Sequence, residues 1–163
     1  MSVNLKIMIQ RVQSIFLLLA TVLMSFLVIL PYAELNLYDG QTLTFFSHVI
    51  RTSTYQEVSS LYQNTFPIIA LILLACLLSF GNIFLFNYRI WQLRICLINM
   101  VILILLLAVM FLYYSIARFS LYLTAHAFKF PAIFPFVALL LNFLAYRNIH
   151  NDEILVNSYK RIR

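Results

Sequence analysis

Charge is scarce in this sequence. Only 10% of its 163 residues are Asp, Glu, Lys or Arg, against about 25% in an ordinary soluble domain. A disordered chain is excluded, because disorder needs low hydrophobicity and many charges. Glycine occurs twice and proline four times, which excludes collagen-like and flexible-linker architectures. Two cysteines, Cys76 and Cys96, are too few for a disulfide-dense secreted fold, and neither sits in a CxxC pair. What remains is apolar: 64% of the residues are hydrophobic. A soluble globule of this size keeps too much of its chain at the surface to hide that fraction. The composition therefore predicts an integral membrane protein.

A membrane-spanning helix needs about 20 mostly apolar residues. Four stretches meet or approach this, at residues 12–33, 66–88, 95–117 and 130–147, and the last is charge-free up to Arg147. Their apolar runs, such as Val101–Leu107, do not alternate with polar residues as barrel strands would. The expected fold class is thus an all-α integral membrane protein, an antiparallel bundle of four transmembrane helices in one domain spanning residues 1–163. Placing the N-terminus inside puts Lys6, Arg11, Arg89, Arg94, Arg147, Lys160, Arg161 and Arg163 on the cytoplasmic side, and Arg51, Arg118 and Lys129 outside. That bias follows the positive-inside rule. Glu34, Asp39 and Glu57 balance the outer bases, so the formal charge of +6 is wholly internal. The expected location is the bacterial inner membrane, with both termini cytoplasmic. Anionic lipid headgroups are a sufficient partner for the internal charge. Nucleic-acid binding would need a clustered basic face with base-reading elements, and the sequence has none.

The outer loop at residues 34–65 has its own pattern. Leu35–Tyr38 and Gln41–Phe45 alternate around Asp39-Gly40, a preferred two-residue turn, which predicts a small β-hairpin. Val49–Tyr55 is β-branched and suits a third strand, and Glu57–Gln63 suits the start of a helix. Residues 118–129 read as a short connection between antiparallel neighbours. Tyr88, Trp91, Tyr113, Tyr114 and Tyr122 fall where interfacial aromatic anchors are expected. The tail at residues 151–162 has Asn151 as a cap, acids in its first turn and bases in its last, which predicts a separate helix.

Charged residues within spans are the usual mark of transport or proton relay, and these spans have none. Asn82, Asn99 and Asn142 lie toward the cytoplasmic ends, where asparagines serve as hydrogen-bonding glue between helices or line a polar path. Thr21/Ser25, Ala75/Ser79 and Ala138/Asn142 have the small-residue spacing of helix contacts. His48, His126 and His150 are scattered, without metal-ligand spacing. Catalysis would require His48, His126 and the outer acids to converge, and no nucleophile stands beside a base. No catalytic, cofactor or metal site is expected.

Three cytoplasmic-side blocks carry a resemblance: Met8-Ile9-Gln10-Arg11-Val12-Gln13-Ser14 running into Ile15–Ala20; Gln92-Leu93-Arg94-Ile95-Cys96-Leu97-Ile98-Asn99; and Arg147–Val156 with the ending Lys160-Arg161-Ile162-Arg163. Together they resemble the domain of unknown function 4293 family, small four-helix membrane proteins of Bacteroidota. The resemblance covers essentially the whole chain and implies fold, envelope location and bacterial origin, but no activity. It also groups Gln10, Arg11, Gln92, Arg94, Asn99, Asp152 and Glu153 as a candidate polar cluster at the inner membrane surface, with Arg94 able to pair with Asp152 or Glu153. Asn82 and Asn142 are the candidate in-membrane polar residues. The expected role is a non-catalytic accessory or assembly subunit, with a lipid bilayer and a membrane-protein partner or second copy around it. The alternative is a small carrier or lipid-binding protein that uses the cytoplasmic-end polar residues. No small-molecule substrate is identified.

Overall fold

Proline marks four of the helix boundaries in the computed structural model. The structure describes residues 2–37, 42–53, 58–59, 65–85, 88–120 and 123–161, with side chains described at 13–36, 42–51, 65–85, 88, 90–118 and 127–151. The elements run α1 (Ser2–Ile29), β1 (Ala33–Leu37), β2 (Thr42–Phe45), β3 (Ile50–Ser53), β4 (Val58–Ser59), α2 (Phe66–Phe84), α3 (Arg89–Ser120), β5 (Leu123–Phe128), a 3-10 turn (Phe130–Ile133) and α4 (Phe134–Arg161). Pro31 follows the end of α1, where a helix stops because Pro cannot supply the next N–H. Pro67, Pro131 and Pro135 occupy first turns, where that missing donor has no intrahelical partner to lose.

The four helices form a closed ring, α1 packing on α2 and α4, and α3 on α2 and α4. Each contributes one row of buried residues at i, i+3 and i+4, as in Leu17, Ala20, Met24 and Leu27 on α1 or Cys96, Asn99, Leu103 and Leu106 on α3. The other faces are exposed yet apolar, with Leu77 at 69% and Phe111 at 66% exposure. Phe66–Phe84, Ile90–Arg118 and Phe130–Asn151 are long and apolar enough to cross a membrane; Gln13–Ile29 of α1 is a shorter apolar stretch. The tail is not a separate helix. α4 continues unbroken to Arg161, because no Pro or Gly interrupts residues 147–151 and the cap-like Asn151 is simply carried inside the helix.

The predicted hairpin is one part of a larger sheet. Five strands pair antiparallel in the order β4-β3-β2-β1-β5. The β1–β2 pairing matches the alternation, with Leu35 opposite Leu43 and Ala33 opposite Phe45. The Asp39-Gly40 turn lies outside the described residues. β3 falls within the expected third strand. Two expectations fail here. Residues 118–129 are not a bare connection, since Leu123–Phe128 pairs with β1. Val58-Ser59 is a strand beside β3 and not the start of a helix; Glu57 and residues 60–63 lie outside the described residues. The physical reason is the same for both. A two-stranded hairpin leaves ladder donors and acceptors open along its edges, and distant segments with weak alternation of their own fill them.

Ala33, Leu35, Leu43, Phe45 and Ile50 share one sheet face and join Met24, Leu27, Ile68, Ile72 and Phe134 in a single apolar cluster. The sheet thus closes one end of the helix ring. Tyr114, expected as an interfacial anchor, is buried in that cluster with its ring 4.3 Å from Phe128. Tyr113 is half-buried and Tyr88 and Trp91 are exposed; Tyr122 lies outside the described residues. Lys129 forms an ion pair with Glu34, and its backbone N–H donates to the Tyr32 carbonyl at 3.0 Å. The ion pair is partly exposed, so Glu34→Gln should lower stability by less than about 1 kcal/mol. A thermal melt in detergent checks this, and a larger loss would mean that the pair fastens the sheet to the helices.

Candidate functional site

The interior holds a set of buried polar side chains. Gln13, Ser79, Asn82, Gln92, Asn99 and Asn142 are all buried, Asn142 completely. Ser79, Asn99 and Asn142 make one layer across α2, α3 and α4. Asn142 Nδ2 donates to the Ala138 carbonyl one turn back, at 2.9 Å. Its Oδ1 accepts from Asn99 Nδ2 at 2.9 Å, and the same Nδ2 donates to Ser79 Oγ at 2.7 Å. The layer divides the apolar interior. Toward the sheet lies the cluster with Ala75, Leu103 and Ala138; toward the termini lies a smaller one of Leu17, Cys96, Ala145 and Ile149.

A second polar group closes the α2–α3 turn. Asn82 Nδ2 donates to the Gln92 carbonyl at 3.3 Å and to Cys96 Sγ at 3.0 Å. Gln92 Nε2 returns a bond to the Asn82 carbonyl at 3.4 Å. That carbonyl lies in the last turn of α2, where backbone donors are few; it accepts the Leu85 N–H at 3.3 Å, and the glutamine adds a second, side-chain donor across the turn. The pairings Ser79 with Asn99 and Asn82 with Cys96 run in opposite directions along the two helices, which makes α2 and α3 antiparallel.

All of these amides are neutral. The set offers hydrogen-bond donors, acceptors and one thiol. Interhelical bonds of this kind contribute about 0.6 kcal/mol on average and up to about 1.7 in a membrane. Two acceptors in the set, Asn82 Oδ1 and Asn99 Oδ1, are buried without a hydrogen-bond partner among the described residues.

The structure divides the cluster expected at the inner surface. Gln92 and Asn99 turn inward and join Asn82 and Asn142. Arg94 is exposed, its guanidinium 5.5 Å over the Trp91 ring. The helical period explains this, since residues 92, 96 and 99 lie on one face, whereas position 94 is rotated by about 200° from position 92. The side chains of Gln10, Arg11, Asp152 and Glu153 lie outside the described residues. Ser79 and Cys96 belong to the buried group although the sequence reading placed them in no site. Their signal was spacing: Ser79 with Asn82, and Gln92 with Cys96 and Asn99, follow i, i+3, i+4 and i+7. Cys76 Sγ lies 3.9 Å from the Thr21 carbonyl, linking α2 to α1, and both cysteines are free thiols.

The histidines stand apart. His48 lies between β2 and β3, beside the Phe46 ring. His126 belongs to β5, on the other side of β1. His150 stacks on Tyr146 near the opposite end of the helix ring. Glu57 lies outside the described residues.

The family model for a domain of unknown function (DUF4293) matches residues 9–162. No curated protein matches the chain.

Proposed function

This chain belongs to the domain of unknown function 4293 family, and we propose that it is a four-span protein of the bacterial inner membrane. In this reading both termini are cytoplasmic, and the protein serves without catalysis as an accessory or assembly subunit of a membrane complex. One observation carries the reading: polarity is inverted. The buried amides bond to one another and to backbone, while the outward faces of the helices carry leucine, isoleucine, valine and phenylalanine. In lipid such an exterior is the stable one, and interior amides hold the helices together. α1 contains 28 residues, about 42 Å of helix, longer than a hydrocarbon core of about 30 Å. Its basic N-terminal turns would therefore project from the bilayer. Leu17, Cys96 and Ile149 meet in one cluster, which puts the start of α1, the α2–α3 turn and the end of α4 at the same end, where the basic residues of the chain concentrate.

Crosslinking followed by mass spectrometry in native membranes tests the role. A reproducible partner complex supports it, and recovery solely as a monomer overturns it. Cysteine labelling tests the orientation independently. His48→Cys should react with an impermeant maleimide in intact spheroplasts, whereas His150→Cys should react only after lysis. Labelling of both in intact spheroplasts would overturn the topology. The second reading, a small carrier or lipid-binding protein, draws support from the two unengaged amide oxygens of Asn82 and Asn99.

A further inference from the structure

The amide oxygens of Asn82 and Asn99 point to a ligand, because their orientation is forced. Asn oxygen and nitrogen are normally interchangeable and are assigned from their surroundings. Here a backbone carbonyl settles each case. The Ala138 carbonyl can only accept, so Asn142 must turn Nδ2 toward it and leave Oδ1 free to accept. Asn99 must then present Nδ2 to that oxygen, and both hydrogens of Nδ2 are used, one on Asn142 and one on Ser79. Likewise the Gln92 carbonyl can only accept, so Asn82 must give it Nδ2, whose second hydrogen meets Cys96 Sγ. Flipping either amide would set oxygen against oxygen. Both remaining Oδ1 atoms are therefore acceptors, both residues are 1% exposed, and neither oxygen has a partner among the described residues.

Buried acceptors in native proteins are engaged as a rule. The two rungs of the α2–α3 seam, Ser79 with Asn99 and Asn82 with Cys96, are three residues apart on each helix, about 4.5 Å along the axis. One water forming two bonds of about 2.8 Å can span an axial step of that length. A hard cation would need about six oxygens, and among the described residues this seam offers two unpartnered ones. We propose that the α2–α3 seam holds an internal water-binding site in which a single water donates one hydrogen to Asn82 Oδ1 and the other to Asn99 Oδ1. The water joins the turn clamp to the three-helix layer, so the polar interior from Gln92 to Asn142 becomes one connected network.

Water-edited solid-state NMR on the full chain in lipid bilayers tests this, reading magnetisation transfer from water to the side-chain amides of Asn82 and Asn99. The dry controls are the methyl groups of Leu103 and Leu106, both at most 1% exposed. Transfer to both amides should build up several-fold faster than to the controls; build-up at the control rate at either amide overturns the site. Asn82→Leu removes one acceptor and should drop transfer at Asn99 toward the control level. Cys96→Ala keeps both oxygens and should leave it unchanged. Undiminished transfer at Asn99 in Asn82→Leu, or its loss in Cys96→Ala, would overturn the bridging arrangement. The readout involves no partner, so the crosslinking experiment can fail while this site stands, and the reverse.

Discussion

On the four-span reading, arginine at Ile104 should sharply lower the folded fraction held in the membrane, although Ile104 is 57% exposed. It lies near the middle of the apolar part of α3. A surface substitution in water usually changes stability by no more than about 0.5 kcal/mol. At the centre of a membrane-spanning helix the same arginine costs about 2.5–3.5 kcal/mol, on the order of a hundredfold in partition. The contrast makes the experiment decisive. The measurement is the folded fraction retained in membranes after an alkaline wash, with His48→Arg on the exposed β2–β3 turn as the tolerated control. Full retention of Ile104→Arg, or its recovery as a folded soluble protein, would mean that these faces do not meet lipid.

The second large effect belongs to the three-helix layer. Asn99→Leu keeps the side-chain branching and heavy-atom count but removes the bonds to Ser79 and Asn142. Two such bonds together are worth about 1.2 kcal/mol at that average, and Asn142 Oδ1 would lose its donor in the same step. Asn142→Leu should cost about 1 kcal/mol by itself. Because the two residues bond directly, the double variant should cost less than the sum of the singles, by an amount near one interhelical bond. Reversible unfolding in mixed detergent micelles gives all four values of the cycle. Strict additivity would mean that no bond joins α3 to α4 at this layer. Arg94→Gln, on the opposite face of α3, should change stability by no more than about 0.5 kcal/mol.

Most of the helical architecture was legible because it is written locally. The long runs at 66–88 and 95–117 contain no charge and no interior proline, so their helicity follows from residues a turn or two apart. The hairpin pair was legible for a similar reason, with alternation on both sides of Asp39-Gly40. Three blocks near residues 8–20, 92–99 and 147–163 also marked the family, which the match over residues 9–162 shows. The fifth strand was not legible. Leu123–Phe128 contains two alanines and a histidine, weak strand formers without a partner, and its pairing with Ala33–Leu37 spans almost ninety residues of chain. Tyr114 looked like an anchor because its sequence neighbours are interfacial in type; its burial follows from β5 placing Phe128 against it.

Composition and periodicity thus determined where the apolar helices lie, which segments between and beyond them are basic, and that the apolar stretches carry amides but no charge. The tertiary structure alone decided which polar residues meet. Gln92 and Arg94 are two positions apart, yet one helical rotation sends the first into the interior and the second to Trp91. Asn99 and Asn142 are forty-three positions apart, yet share a hydrogen bond. A periodic pattern specifies a face of one helix. The partner of that face depends on which helices close the ring, and that is settled by the packing of the whole chain, where a buried amide must find its complement or leave an acceptor open.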